Sequence, residues 1–149
     1  FSVTGWKTGY CVAPARLSEE LRKVHQYVAF VSVTPVQLAL ADFMREQPDY
    51  AGELGAFYQN KRDLFLGALK DSRFTFSPSQ GSYFQLLNYS AITTELDTLV
   101  SERWTRENKI ASIPISVFYA EPPQQSVLRF CFAKSDSVLL QAAEILCRI

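Results

Sequence analysis

After Ser72 the sequence changes from widely spaced apolar residues to short alternating segments. Alternation of apolar and polar residues indicates strands, whereas apolar residues that recur every three or four positions indicate amphipathic helices. Between residues 74 and 149 the pattern predicts the order ββαββα, which fits a compact α+β layer with helices on one face of a small sheet. The predicted segments are Phe74–Phe76, Tyr83–Leu87, a helix from Thr94, an edge strand Ile110–Ile115 interrupted by Pro114, Val127–Phe132, and a helix that Ser135 caps.

The beginning of the chain predicts one strand followed by a helix. Residues 6–13 form an apolar segment that ends at Pro14, and they predict a buried strand. Ser18 is a suitable N-cap for a helix over residues 19–29. Phe30–Val33 is apolar and β-branched, so we expect it to be extended.

Two further helices are predicted before residue 72. Thr34-Pro35-Val36-Gln37 predicts a helix over residues 35–46, with a proline at its first position and a capping box between Thr34 and Gln37. Asp49 is expected to cap a helix of about 20 residues, whose apolar positions follow one face. Its length fits either a connection between two domains or a long core helix.

Composition excludes several classes of protein. The chain has 149 residues, with 15 basic and 15 acidic side chains and a formal net charge of zero, which disfavours binding to nucleic acid. No run approaches the roughly 18 consecutive apolar residues that a membrane-spanning helix needs, so no membrane association is expected. The length suits one domain, or a small domain with part of another.

The cysteines and the single histidine argue against metal chemistry. Cys11, Cys131 and Cys147 form no Cys-x-x-Cys pair, so we predict no metal site and expect mostly buried, reduced thiols in a cytoplasmic protein. His25 is the only histidine. The chain opens at Phe1 on a strand-like pattern without Met or signal peptide, from which we expect a fragment of a longer protein.

Arg129 is the residue that most suggests a binding site. Alternation in Val127–Phe132 places it on the face opposite Leu128 and Phe130. An arginine fork matches a carboxylate with two hydrogen bonds, so one interpretation is a carboxylate receptor on a rigid strand. The alternatives are an exposed arginine on the wet face of the sheet and an arginine paired with an internal acid. On residue pattern alone, the alternatives are favoured.

Lys7 and Phe30 are weaker candidates. Lys7 lies between two glycines, Gly5 and Gly9, where a cation could approach a phosphate, although a solvated turn lysine is the more ordinary explanation. Phe30 leaves a helix and enters an apolar extended stretch, which fits either a core position or an interface between chains, and on residue pattern alone the core position is favoured.

Five segments, in this order, resemble the motifs of class I/II aminotransferases, which are pyridoxal 5'-phosphate (PLP) enzymes of fold type I. The likeness covers nearly the whole chain and is strongest to bacterial methionine aminotransferases and kynurenine/glutamine transaminases. The segments are Phe1–Tyr10 (the stretch just after the cofactor lysine), Thr34–Gln37 (Thr-Pro-x-Gln), Pro78–Phe84 (Pro-x-Gly-x-Tyr/Phe-Phe), Ile113–Tyr119 (Ile-Pro-x-Ser-x-Phe) and Leu128–Lys134 (Ile-Arg-Phe-Cys-Phe).

The resemblance implies a role for each candidate residue. Lys7 matches the basic residue that holds the cofactor phosphate, and Arg129 matches the arginine that binds the substrate α-carboxylate. Phe30 matches an aromatic residue that reaches into the active site of the partner subunit in a homodimer. The catalytic Schiff-base lysine of the family is expected upstream of Phe1, so none of the catalytic residues is expected within this chain.

The resemblance also implies a domain organisation and an activity. Residues 1–47 would be the tail of a large PLP-binding α/β domain, and residues 48–149 the connecting helix and small C-terminal domain. The full-length protein would transfer an amino group from methionine, an aromatic amino acid or glutamine to a 2-oxo acid, and this chain alone would be inactive. The alternatives are an aminotransferase-like effector domain of a transcription regulator and a small non-enzymatic ligand-binding module.

Overall fold

The computed structural model describes residues 1–123 and 125–149, and it divides into two compact units, Phe1–Glu53 and Leu54–Ile149. The first unit contains a 3-10 turn at Thr4–Trp6 and helices α1 (Ala15–Val28) and α2 (Thr34–Glu46). Helix α3 (Tyr50–Ala68) begins in the first unit and continues in the second. The second unit adds β1 (Phe84–Asn88), α4 (Asp97–Glu107), β2 (Ile113–Pro114), a 3-10 turn at Ser116–Phe118, β3 (Val127–Cys131) and α5 (Asp136–Arg148).

The second unit has a three-stranded antiparallel sheet in the order β1-β3-β2. Leu128 and Phe130 of β3 are buried, and they join one apolar core with residues of helices α3, α4 and α5. The α+β layer predicted for this region and the fold class are therefore confirmed, with β2 at the edge of the sheet, a position where a strand tolerates a proline such as Pro114. Other core members are Phe65, Leu66, Leu69, Leu87, Val100, Trp104, Leu139, Ala143 and Leu146.

Two predicted boundaries in this unit are wrong. The strand expected over Phe74–Phe76 is reduced to a single bridge between Thr75 and Asn88. Pro78 lacks an amide hydrogen, so a ladder could not continue far in that direction. The helix expected from Thr94 begins at Asp97, because the preceding carbonyl of Glu95 accepts a hydrogen bond from the Tyr89 hydroxyl instead.

The first unit lacks a core, and its predicted strand is wrong. None of residues 1–53 is buried. Apart from the 3-10 turn, residues 6–13 have no regular structure, since a strand needs a ladder partner and no other strand lies in this unit. Helix α1 begins at Ala15 rather than after Ser18, whose hydroxyl donates to the Ala13 carbonyl.

The segment between α1 and α2 differs in detail from the prediction. Phe30 adopts a left-handed backbone conformation (φ 61°), and its amide donates to the His25 carbonyl at 2.8 Å, which closes the end of α1. The side chain of Gln37 donates to the Ser32 carbonyl, so it holds the start of α2 without forming the predicted capping box. The predicted long helix is confirmed as α3, which has 19 residues.

The thiols are more exposed than expected. Cys11 and Cys147 are exposed and Cys131 is half-buried, so the expectation of mostly buried cysteines is wrong. Cys11 lies in the unit without a core. Among the described residues there is no group of three or more His, Cys, Asp or Glu side chains able to hold a metal, and no helix with the length and apolar character needed to cross a membrane.

Candidate carboxylate site

Arg129 lies at the centre of the sheet. It is paired with Leu86 of β1 on one side and with Ile113 of β2 on the other. Leu128 and Phe130 point into the core, so the side chain of Arg129 extends from the opposite face of the sheet, as the alternation predicted. Pairing on both sides fixes the register of the strand and therefore the direction of this side chain.

Two aromatic rings pack against the guanidinium group of Arg129. Its Cζ lies 4.2 Å from the ring centroid of Phe84 and 4.9 Å from that of Phe118. Contacts of a guanidinium group with aromatic rings stabilise the cation by about 0.5–2 kcal/mol and restrict its orientation. Phe84 comes from β1, and Phe118 from the 3-10 turn that follows β2.

The guanidinium group has no acidic partner. In the described part of the chain no ion pair includes Arg129, and its buried Nε makes no hydrogen bond. Buried polar groups are normally paired, so the unpaired Nε leaves one hydrogen-bond donor of Arg129 unused. The described residues contain no acidic side chain in an ion pair with Arg129, which argues against an arginine neutralised by an internal acid. The arrangement can offer its N–H groups to an external carboxylate.

The turn that carries Phe118 is attached to helix α4 by Asp97. This carboxylate is 5% exposed, and it accepts hydrogen bonds from the Ser116 amide at 2.8 Å and the Ser116 hydroxyl at 2.7 Å. Burial alone raises the pKa of Asp97, but the bonds from Ser116, with those from the amides of Thr98 and Ile115, hold this pKa below its usual value. Asp97 is therefore ionised at neutral pH.

Tyr89 lies beside this attachment. Its hydroxyl donates to the Glu95 carbonyl at 2.9 Å, and its ring packs edge-on against Trp104. Burial, followed by the negative charges of Asp97 and Glu95, raises the pKa of Tyr89 to about 12. Tyr89 therefore stays neutral, and its stabilising effect is complete below pH 10 and lost as pH rises towards 12.

Lys7 and Phe30 both lie in the first unit, whereas Arg129 lies in the second. Lys7 follows the Thr4–Trp6 turn in a left-handed conformation (φ 53°), and its exposed ammonium group takes part in no ion pair among the described residues. Phe30 is 78% exposed, so within this chain it is not a core residue. Each residue is thus available to a ligand or a partner chain.

Sequence reasoning missed three members of the Arg129 surroundings. Phe84 and Phe118 both lie within motifs that resemble the family, but the motifs gave no role to either ring. Asp97 begins a helix, where an acidic residue is ordinarily explained by the positive end of the helix dipole. Its contact with Ser116, 19 residues away in sequence, carried no local signal.

Comparison with known proteins identifies the family. The family described as Aminotransferase class I and II matches residues 1–146. Methionine aminotransferase from Escherichia coli is 49% identical over 144 residues, which is 97% of this chain and 37% of that protein. Kynurenine–oxoglutarate transaminase from Dictyostelium discoideum is 33% identical over 171 residues, covering 100% of this chain and 39% of that protein.

Solved structures agree with the sequence matches. YbdL from Escherichia coli matches with a TM-score of 0.90 and 49% identity, over 98% of this chain and 39% of that one. N-Succinyldiaminopimelate aminotransferase from Mycobacterium tuberculosis matches with a TM-score of 0.86 and 27% identity, over 99% of this chain and 39% of that one. The chain thus spans less than two-fifths of the curated relatives described here. With one family matched from residue 1 to residue 146, this chain belongs to the class I and II aminotransferases and has their fold type I architecture.

Proposed function

We propose that the full-length protein is a PLP-dependent aminotransferase that moves an amino group between an amino acid and a 2-oxo acid. The observation that carries this proposal is Arg129, which lies on a strand paired on both sides and forms no ion pair with an acidic side chain of the described residues. Both substrates of such a reaction have a carboxylate next to the reacting carbon. A single arginine can therefore orient the donor and the acceptor in the same way.

Lys7 fits the phosphate group of the cofactor. Its ammonium group is exposed and takes part in none of the ion pairs of the described residues, so no internal charge competes with a phosphate. The amide of Lys7 is already bonded to the Thr4 carbonyl at 3.3 Å, which leaves the side chain as the donor. When bound, PLP would supply an electron sink for the carbanion at the substrate α-carbon. Residues 1–47 would belong to the cofactor-binding domain and residues 48–149 to the small domain.

The proposed amino donors are methionine, aromatic amino acids and glutamine. The names of the matched relatives support methionine and an aromatic donor, since they include a methionine aminotransferase and kynurenine transaminases, and glutamine is proposed from the resemblance alone. We expect the full-length protein, with PLP, to convert methionine or kynurenine to the 2-oxo acid only when a 2-oxo acid acceptor is present. The measurement is product formation by liquid chromatography, with and without the acceptor. Amino-acid loss that does not depend on the acceptor, or no loss with any donor, would argue against an aminotransferase.

Phe30 is proposed to reach the active site of the partner subunit in a homodimer. Its ring is exposed, and the left-handed backbone at this residue turns the chain sharply after α1. Holding a phenylalanine in this conformation costs about 1 kcal/mol or more. A strained residue with an exposed ring supports a functional role for that ring. Neighbouring apolar residues Val31 and Val33 are exposed as well, as expected for a surface that another chain covers.

We expect Phe30→Ala to weaken the apparent substrate affinity of the full-length enzyme about threefold to tenfold, with Phe30→Tyr close to wild type, because the aromatic contact area is kept. Mixed dimers give the sharper measurement. In such a dimer, one subunit carries Phe30→Ala and the other carries Arg129→Lys. If Phe30 serves the active site of the partner subunit, one site then has both defects and the other site has neither. Activity should therefore recover to about half of wild type, whereas no recovery would show that Phe30 serves the site of its own subunit.

A further inference from the structure

We propose that Asp97 is a positioning residue for Arg129: through Ser116 it holds the turn that places Phe118 against the guanidinium group. The inference depends on the proposed role of Arg129 as the carboxylate receptor. Asp97 itself touches neither Arg129 nor, in this proposal, the substrate. It acts on the carboxylate site through two intermediate residues of the second unit.

The first step is the attachment between α4 and the turn. Both carboxylate oxygens of Asp97 are used, Oδ2 by the Ser116 amide and Oδ1 by the Ser116 hydroxyl. The carboxylate is almost fully buried at the first residue of α4, where the helix dipole favours its charge. Two short bonds to an ionised, buried acceptor are stronger and more directional than bonds between neutral groups. Ser116 is thus held in one orientation.

The second step runs from Ser116 to Phe118. Ser116 begins a 3-10 turn in which the Phe118 amide donates to the Ile115 carbonyl and the Tyr119 amide donates to the Ser116 carbonyl, both at 3.1 Å. The turn follows directly on β2, whose two residues are paired with β3. Its beginning is therefore fixed by the sheet and its first turn residue by Asp97. Phe118, 59% exposed, has little core contact of its own to hold it in place.

The third step is the effect on Arg129. Phe118 and Phe84 contact the guanidinium group at 4.9 Å and 4.2 Å, and in the described residues no hydrogen bond or ion pair restrains that group. Two-point binding of a carboxylate needs the guanidinium plane in one orientation before the substrate arrives. Loss of the Asp97 attachment would release Phe118 and leave Phe84 as the only ring on the cation. The charge would stay, but its orientation would be less well defined.

A double-mutant cycle in the full-length PLP-loaded enzyme tests this inference. Asp97→Ala is expected to lower kcat/KM for amino-acid substrates about tenfold, mainly through KM, while the absorbance spectrum of the bound cofactor stays unchanged. In an enzyme that already carries Arg129→Lys, the same change should lower kcat/KM less than twofold. Glu102→Ala is the matched control, since Glu102 lies on the same helix in an exposed ion pair with Arg106. It should leave kcat/KM unchanged.

Milder variants keep the test decisive if Asp97→Ala unfolds the protein. Asp97→Asn keeps one acceptor for the Ser116 amide, and its NH2 group can donate to the Ser116 hydroxyl oxygen, so most of the activity should return. Ser116→Ala removes only the hydroxyl bond and should lower kcat/KM about threefold, again only when Arg129 is present. In an enzyme that already carries Arg129→Lys, Asp97→Asn and Ser116→Ala should each change kcat/KM less than twofold.

Different outcomes separate this inference from the proposed function. Equal losses from Asp97→Ala and Ser116→Ala with and without Arg129→Lys would overturn the inference, because Asp97 would then act on stability or on another part of the site. The proposed function would survive that result as long as Arg129→Lys alone impairs every carboxylate substrate. If Arg129→Lys alone has no effect, the carboxylate receptor itself is wrong, and the role of Asp97 fails with it.

Discussion

Arg129→Lys should lower kcat/KM of the full-length enzyme by about one to two orders of magnitude for every amino acid and 2-oxo acid that it uses. Lysine keeps the charge but loses the planar fork, and each charged hydrogen bond lost costs about 1.5–3 kcal/mol. Lysine also cannot pack flat against the rings of Phe84 and Phe118. The measurement is steady-state kinetics with several donors and acceptors of different side chain.

The pattern of the losses distinguishes the carboxylate receptor from other roles. Since the α-carboxylate is common to all substrates, the loss should be similar for each donor and acceptor, and PLP affinity should stay near wild type. Arg148→Lys is a suitable control, because Arg148 is exposed and forms an ion pair with Glu144 on the same helix. Release of the cofactor by Arg129→Lys, or a loss confined to one substrate side chain, would contradict the assignment.

The chain of 149 residues, purified alone with PLP, should show no measurable transaminase turnover. The resemblance to the family implies a cofactor-binding lysine within a Ser-x-Gly-Lys motif, and this sequence contains no such motif. The structure supplies a second reason. The first unit, which carries Lys7, has no buried residue and therefore no core to hold a phosphate-binding group in place.

Turnover by this chain would be measured under the conditions that give activity for the full-length protein. The same concentration of full-length enzyme carrying Arg129→Lys is the useful reference, since it should remain measurably active. Any turnover by the chain above that of PLP alone would show that one of its own lysines can serve instead, and the expectation that catalysis depends on upstream residues would be wrong.

The sheet around Arg129 could be predicted from the sequence because its signals are local. Alternation within Val127–Phe132 gave the strand and the face of Arg129, and Pro114 gave the edge strand. The contacts of the guanidinium group could not be found in this way. Phe84 and Phe118 lie 45 and 11 residues from Arg129 in sequence, and only the strand register and the 3-10 turn bring them to it.

In the first unit, local sequence signals predicted one helix well but failed for the segments around it. Residues 6–13 have the apolar composition of a strand, but such a segment forms a strand only where another strand can pair with it. Helix α2 was predicted to within one residue, because proline at the start and Gln47-Pro48 at the end are strong local signals. Phe30 was expected to be extended, and its left-handed backbone depends on the bond to His25 that closes α1.

The middle strand also determines how the site can fluctuate. Opening β3 requires the loss of ladders to both β1 and β2 and exposure of Leu128 and Phe130, so hydrogen exchange at this strand should approach the rate of global unfolding. The turn with Phe118 lies outside the ladders and can open at much lower free energy. The proposed carboxylate receptor, Arg129, thus lies in the part of the unit that should exchange most slowly. A change in the turn would therefore alter the orientation of the guanidinium group while the strand that carries it stays in place.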